Sequence, residues 1–192
     1  MLREAVIIMI ATGTIADVIR ERTSIKTGYL EKEVSRELVL SLLKDAVWAP
    51  THGVREPWRF IFVSGERKED FIQAVLKCHE PAKHENMRKK FDEVPAFLAV
   101  LMNEDPRPKV WDEDFAATSC MLQNLQLLAW EQDLGMVWKT PNHINDPKFR
   151  TELGAKPGEK IVGVLHIGYF DKKAAAAKVR KRTDPAEKWT NF

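Results

Sequence analysis

The chain has 192 residues, 44% of them hydrophobic and 30% charged, with a formal net charge of +2. This suffices for one folded domain with its own core, and the near-balance of charge gives no general attraction to nucleic acid or to a membrane surface. No apolar run approaches the roughly 20 residues of a membrane span, and the two isolated thiols, Cys78 and Cys120, read as reduced core residues of a cytoplasmic protein.

The opening stretch "MLREAVIIMIATG" has the outline of a secretion signal. Glu4 interrupts it and its basic region is thin, so it reads as a lead-in to the first helix. That helix is expected at 14–22, capped by Thr14, with Ile15, Val18 and Ile19 on one side. A second helix at 36–47 starts from Ser35 and stops before Pro50. The connection "APTHGVREPWRF" (49–60) is rigid, aromatic and cationic where a plain loop would hold Gly, Ser and Asn.

A strand follows at 58–64 and a third helix at 66–78. Residues 79–93 are highly charged with little apolar periodicity, which suggests a mobile surface insertion or lid. A strand is expected at 95–103, then a long helix at 112–134, about 35 Å at 1.5 Å per residue. From Cys120 to Trp130 it is apolar nearly all round, so it should be buried on every side. Ala116, Ala117, Ser119 and Cys120 would let a partner helix approach, which predicts a homodimer. Gly135 is expected to end this helix.

Strands at 136–140 and 161–170 flank a short helix opened by Asp146-Pro147 and closed by Gly154. The tail, 171–192, ends in Trp189 and Phe192 and is expected to dock on another surface, that of the partner subunit. No internal boundary is visible, so residues 1–192 read as a single α+β domain: a mixed sheet flanked by helices, with one long central helix.

Most familiar chemistries find no support. The five histidines show no HExxH, and CxxC, GxSxG, GxGxxG and the P-loop pattern are all absent, so no metal site is expected. His166, inside a strand, reads as a satisfied core histidine, and the basic run "KVRKR" (178–182) as a solvated face or an anion contact rather than a nucleic-acid arm. Two stretches carry more. "RTSIK" (22–26) combines Arg22, Thr23, Ser24 and Lys26, a set suited to a phosphomonoester, although an ordinary polar turn has the same composition. "VWKT" (137–140) places Trp138, Lys139 and Thr140 at a strand end; an edge strand with snorkelling side chains would look alike.

Taken together, "ERTSIKTG", "APTHGVREPWRF", "FAATSCMLQNLQLLAWEQDLGMVWKT" and "KIVGVLHIGYF" resemble, in order across residues 20–170, the FMN-dependent nitroreductase family, and most closely its compact branch. The resemblance implies an intertwined homodimer that holds FMN at the subunit interface. NADH or NADPH would reduce it, and a nitroaromatic, quinone or similar small acceptor would reoxidise it in a ping-pong cycle. Arg22, Thr23, Ser24 and Lys26 would then hold the phosphate end or the flavin edge. Trp138, Lys139 and Thr140 would lie beside the isoalloxazine, Trp48 and His52 would reach the cofactor from the facing subunit, and Lys181 and Arg182 would add phosphate contacts. Lys26 or Lys139 could favour the anionic reduced flavin, with no obligate side-chain acid or base. Where many relatives have Asn-x-Gln-Pro-Trp, this chain has Val54-Arg55-Glu56-Pro57-Trp58, and Trp48 stands where the compact branch often has a basic residue. A flavin-binding carrier or sensor without turnover is the alternative.

Overall fold

The computed structural model describes residues 14–176 and 181–192. The signal-like lead-in, and Lys178 and Arg180 of the basic run, lie outside the described residues.

Four strands form one sheet: β1 (Trp58–Val63), β2 (Ala96–Asn103), β3 (Leu134–Lys139) and β4 (Glu159–Tyr169). Their order is β1-β2-β4-β3, and each pairing is antiparallel. The mixed sheet expected from alternating helices and strands is thus antiparallel among the described residues. The β1–β2 link returns at the end where it left, so Val63 at the close of β1 pairs with Phe97 at the start of β2, whereas the link through α5 crosses from the Glu159 end of β4 to its Tyr169 end.

Helices cover both faces of the sheet. On one face, α2 (Arg36–Ala46) and α5 (Pro108–Glu131) pack on Leu98, Val100 and Met102; on the other, α3 (Arg67–Leu76), α4 (Pro81–Asp92) and α6 (Pro147–Leu153) pack on Phe97, Ala99 and Leu101. This two-sided cover explains why β2 and β4 read as unbroken apolar runs rather than the alternation of a half-exposed strand. A short α1 (Ile15–Glu21) lays Val18 against Trp130 near the end of α5.

The start signals act as their chemistry dictates. Thr14 and Asp17 form a capping box on α1, the Ser35 hydroxyl accepts from Leu38 N, and Asp146 caps α6 before Pro147. Gly154, at φ 83°, closes α6 in the left-handed conformation that glycine adopts freely.

Several expectations change. The charged stretch at 79–93 is largely the helix α4, begun at Pro81. Met87 and Phe91, one turn apart, pack on the core, and Glu85–Lys89 forms an ion pair at 2.8 Å on the outer side. Two apolar residues make too weak a periodicity to stand out among so many charges.

Helix α5 spans Pro108–Glu131, beginning before 112, and Gly135 lies inside β3. The chain turns instead through Gln132 and Asp133, the latter at φ 53°. Lys172, in α7 (Lys172–Ala176), donates to the Trp130 carbonyl at 2.8 Å and so satisfies an end group of α5.

Within one chain α5 is not buried on every side either. Ala116, Cys120 and Gln123 are exposed along one stripe. Cys120 is therefore no core thiol, and Cys78 is only half-buried.

Candidate functional site

Residues 22–26 leave α1 as an extended segment lying against the edge of β3. Ile25 N donates to the Met136 carbonyl at 3.2 Å and its side chain is buried, while Ser24 and Lys26 are exposed. The alternation of an extended chain thus puts Arg22, Ser24 and Lys26 on the side opposite Ile25. Gly135 permits the approach: a Cβ there would lie 2.7 Å from Ile25 Cγ1 and 2.8 Å from the Phe170 ring.

Trp138 and Lys139 follow at the end of β3 and, as neighbours in a strand, face opposite sides of the sheet. Trp138 packs on the α2/α5 side and donates its indole N–H to the Val162 carbonyl at 3.2 Å. It can lie there because residue 163 is glycine, since a Cβ would fall 2.1 Å from Trp138 Nε1. Lys139 faces the α4 side and is half-buried. Burial holds its ammonium pKa below the usual value, and the charges of Lys26 and Lys90 add to the effect. Among the described residues neither Lys26 nor Lys139 is in an ion pair. Two unneutralised cations near one another, with the exposed Ser24 in the same segment as Lys26, offer donors for an anion.

The α2–β1 connection is a separate feature. Trp48, just past α2, is 86% exposed, and His52 is exposed too. Between them and β1 the backbone is strained: Gly53, Val54 and Glu56 have φ of 61°, 52° and 44°. A left-handed conformation costs a non-glycine residue roughly 1–2 kcal/mol, and a β-branched valine is the least expected occupant. Arg55 pins this turn to α5. Its Nε reaches Asp114 at 2.7 Å and a terminal nitrogen reaches Glu113 at 2.8 Å. The Arg55 hydrogen bond holds the Glu113 carboxyl below its usual pKa, and the charge of His52 contributes. Glu56 N donates to the Thr51 hydroxyl at 3.3 Å.

His52 and Arg55 do not meet the 22–26 segment within one chain. His52 and Arg55 lie at the Glu113 level of α5, whereas the 22–26 segment packs near Trp130. Seventeen residues of helix separate those levels by about 26 Å.

Comparison with known proteins places the architecture. Residues 19–169 match the family model described as "Nitroreductase family". The chain belongs to the nitroreductase family. A nitroreductase-like family protein from Bacillus cereus, solved by crystallography, superposes with a TM-score of 0.88 at 41% identity, covering 96% of this chain and 98% of that one. The Bacillus subtilis protein named "Putative NAD(P)H nitroreductase YfhC" is 38% identical over 94% of this chain and 95% of its own length. The FMN-dependent nitroreductase NfnB of Mycobacterium smegmatis, solved in complex with NADPH, shares the fold at a TM-score of 0.73 and 16% identity, with 93% and 97% covered.

Within this nitroreductase fold, the structure lays the 22–26 segment beside β3 and brings Lys26 near Lys139, while Trp138 faces the other side of the sheet. It sets His52 apart from the 22–26 segment, whereas Trp48 follows the end of α2, where Asp45 lines a pocket with Ile15 and Val18 of α1. Arg182 is exposed, and among the described residues its guanidinium reaches only the Lys181 carbonyl, at 3.0 Å. Sequence reasoning missed Arg55, which anchors the strained turn through a contact 59 residues away in the chain. It also missed Gly135 and Gly163, whose role is to be small opposite a particular side chain. His166 is buried as expected, but it is not satisfied: its Nδ1 has no partner.

Proposed function

We propose that the protein is an FMN-dependent NAD(P)H oxidoreductase that works as a homodimer with one domain per subunit. The observation that supports this reading is the unneutralised Lys26–Lys139 pair beside the extended 22–26 segment. These cations fit an anionic, phosphate-bearing cofactor, and among the described residues no carboxylate forms an ion pair with Lys26 or Lys139.

Bound there, FMN would supply the two-electron chemistry, accepting hydride from NADH or NADPH and passing electrons to a nitroaromatic, quinone or similar small acceptor in a ping-pong cycle. The chain's own task is binding and electrostatics. Arg22, Thr23 and Ser24 hold the phosphate end, with Arg182 a further candidate from the tail. Lys26 and Lys139 place positive charge near the ring edge, where it favours an anionic reduced form. Trp138, fixed by its bond to Val162, walls one side.

Trp48 and His52 act from the second copy, a role in keeping with their exposure. Ile15, Ile19 and Leu40 are exposed as well, and with the Ala116/Cys120 stripe they supply apolar surface for a partner. Trp189 and Phe192, exposed on their own chain, suit a tail that docks on that partner. Two unpaired cysteines suit a reducing, cytoplasmic location.

Purified protein is expected to be yellow, with a bound-flavin spectrum that bleaches on addition of NADH or NADPH and recovers with a quinone. Colourless protein that cannot be reconstituted with FMN overturns the reading. Protein that binds FMN but never bleaches is a carrier rather than an enzyme.

A further inference from the structure

On the α4 side of β3 and β4 lies a cavity of about 170 Å³ whose polar lining is His79, His143, His166 and Lys139. Met87 and Phe91 of α4 close it with apolar surface. For scale, a cavity of about 150 Å³ holds one benzene ring. No carboxylate among the described residues lines it.

The histidines are unevenly satisfied. His79 Nε2 and His143 Nδ1 lie 3.2 Å apart, so one donates to the other. His166, 4% exposed, has a buried Nδ1 without a partner, and its ring is held edge-on to Phe97 with centroids 4.9 Å apart. Buried polar atoms are nearly always paired, so an orphan lining a cavity beside an ammonium group marks a place for a ligand atom. Burial depresses the His143 and His166 imidazoles to about 4 and about 3. Near neutral pH they therefore serve as uncharged hydrogen-bonding groups, and Lys139 supplies a cation.

We infer that this cavity is a binding site for a compact organic anion with an apolar body, of the monocyclic carboxylate or phenolate class. The ring fills the space against Met87 and Phe91. The acid group meets Lys139 and takes the hydrogen bond that His166 lacks. The site goes beyond the flavin reading and does not depend on it, although Lys139 links the two places.

The test uses benzoate and its uncharged isostere benzamide on the purified full chain, followed by calorimetry and by the histidine imidazole NMR signals. Benzoate is expected to shift the His143 and His166 signals saturably and to bind at least about tenfold more tightly than benzamide, the factor one charge-assisted hydrogen bond provides. Lys139→Met should bring the two compounds to equal affinity. Met87→Trp, a change on a half-buried helix face that leaves the sheet intact, should block the cavity and remove the shifts. Equal binding of both compounds to the unmodified protein, silent histidines at saturating benzoate, or shifts that survive Met87→Trp each overturn the proposal. Colourless protein that still binds benzoate defeats the flavin reading alone, and yellow protein whose histidines ignore benzoate defeats this one alone.

Discussion

Gly135→Ala tests whether the 22–26 segment is positioned by its contact with β3. The added methyl would stand 2.7 and 2.8 Å from Ile25 Cγ1 and Cβ and 2.8 Å from Phe170 Cδ1. Ile25 Cβ is tied directly to its backbone, so it yields only if the segment moves. Overpacking of this kind costs about 1–3 kcal/mol. Replacing a strand glycine returns roughly 0.5–1 kcal/mol through the unfolded chain. The net expectation is a loss of about 1–2 kcal/mol, measured by urea unfolding of flavin-free protein at fixed concentration, because a dimer's stability depends on concentration. FMN affinity should fall with it, since Arg22, Ser24 and Lys26 move as a unit. Ile25→Ala removes the obstruction, so in the double variant the Gly135→Ala penalty should shrink by at least about 0.5 kcal/mol, the coupling expected of residues in contact. Additive effects, or a Gly135→Ala protein with unchanged stability and flavin retention, would show that the segment is not held by this contact.

Three further outcomes follow from individual residues. Arg22→Ala should weaken FMN retention in equilibrium dialysis, and unchanged affinity removes Arg22 from the phosphate contacts. Val54→Asn should stabilise the protein by roughly 0.5–1 kcal/mol, because asparagine tolerates the left-handed conformation that valine resists; a loss of stability on urea unfolding would refute strain at this turn. Stability should also decline as pH falls from 6.5 towards 4. In that window the unfolded chain protonates His143 and His166 while the folded chain, with imidazoles depressed to about 4 and about 3, does not. His166→Phe should make the decline shallower in urea midpoints measured across the window. An unchanged slope would mean that His166 charges as readily in the fold as outside it. Glu159 acts in a lower range: its bond from Arg59 holds it below the usual value, so its contribution is complete above the ordinary carboxylate pKa and is lost as pH falls through the depressed one.

What could be read in the sequence was what its neighbours in the chain decide. Ser35, Thr14, Asp146-Pro147 and Gly154 act on the backbone within a few residues, and each does what its chemistry predicts. The sheet's strands were visible for a similar reason, since cover on both faces makes them continuously apolar. Helix α4 was not visible, because its evidence is two apolar residues among charges that are satisfied only on its solvent side. Gly135 looked like a helix stop because glycine after a helix usually is one. Its actual reason, Ile25 and Phe170, lies 110 residues back and 35 ahead. The same holds for Arg55, whose value depends on where Glu113 and Asp114 arrive.

The candidate site divides along this line as well. Arg22 to Lys26 and Trp138 to Thr140 are two short runs, each legible alone, and one hydrogen bond from Ile25 to Met136 brings them together. The 49–57 connection differs: Trp48, just before it, and His52 within it are exposed on their own chain. Yet the turn that follows them tolerates two non-glycine residues at positive φ and is fastened by a bidentate arginine. Strain persists only where surrounding contacts over-determine it, and a loop that merely joined a helix to a strand would need neither the strain nor the clamp. Both make sense if the loop must keep one shape to meet a surface outside its own chain. Under the proposed reading a second copy would supply that surface, so the flavin site and the homodimer stand or fall together at Trp48 and His52.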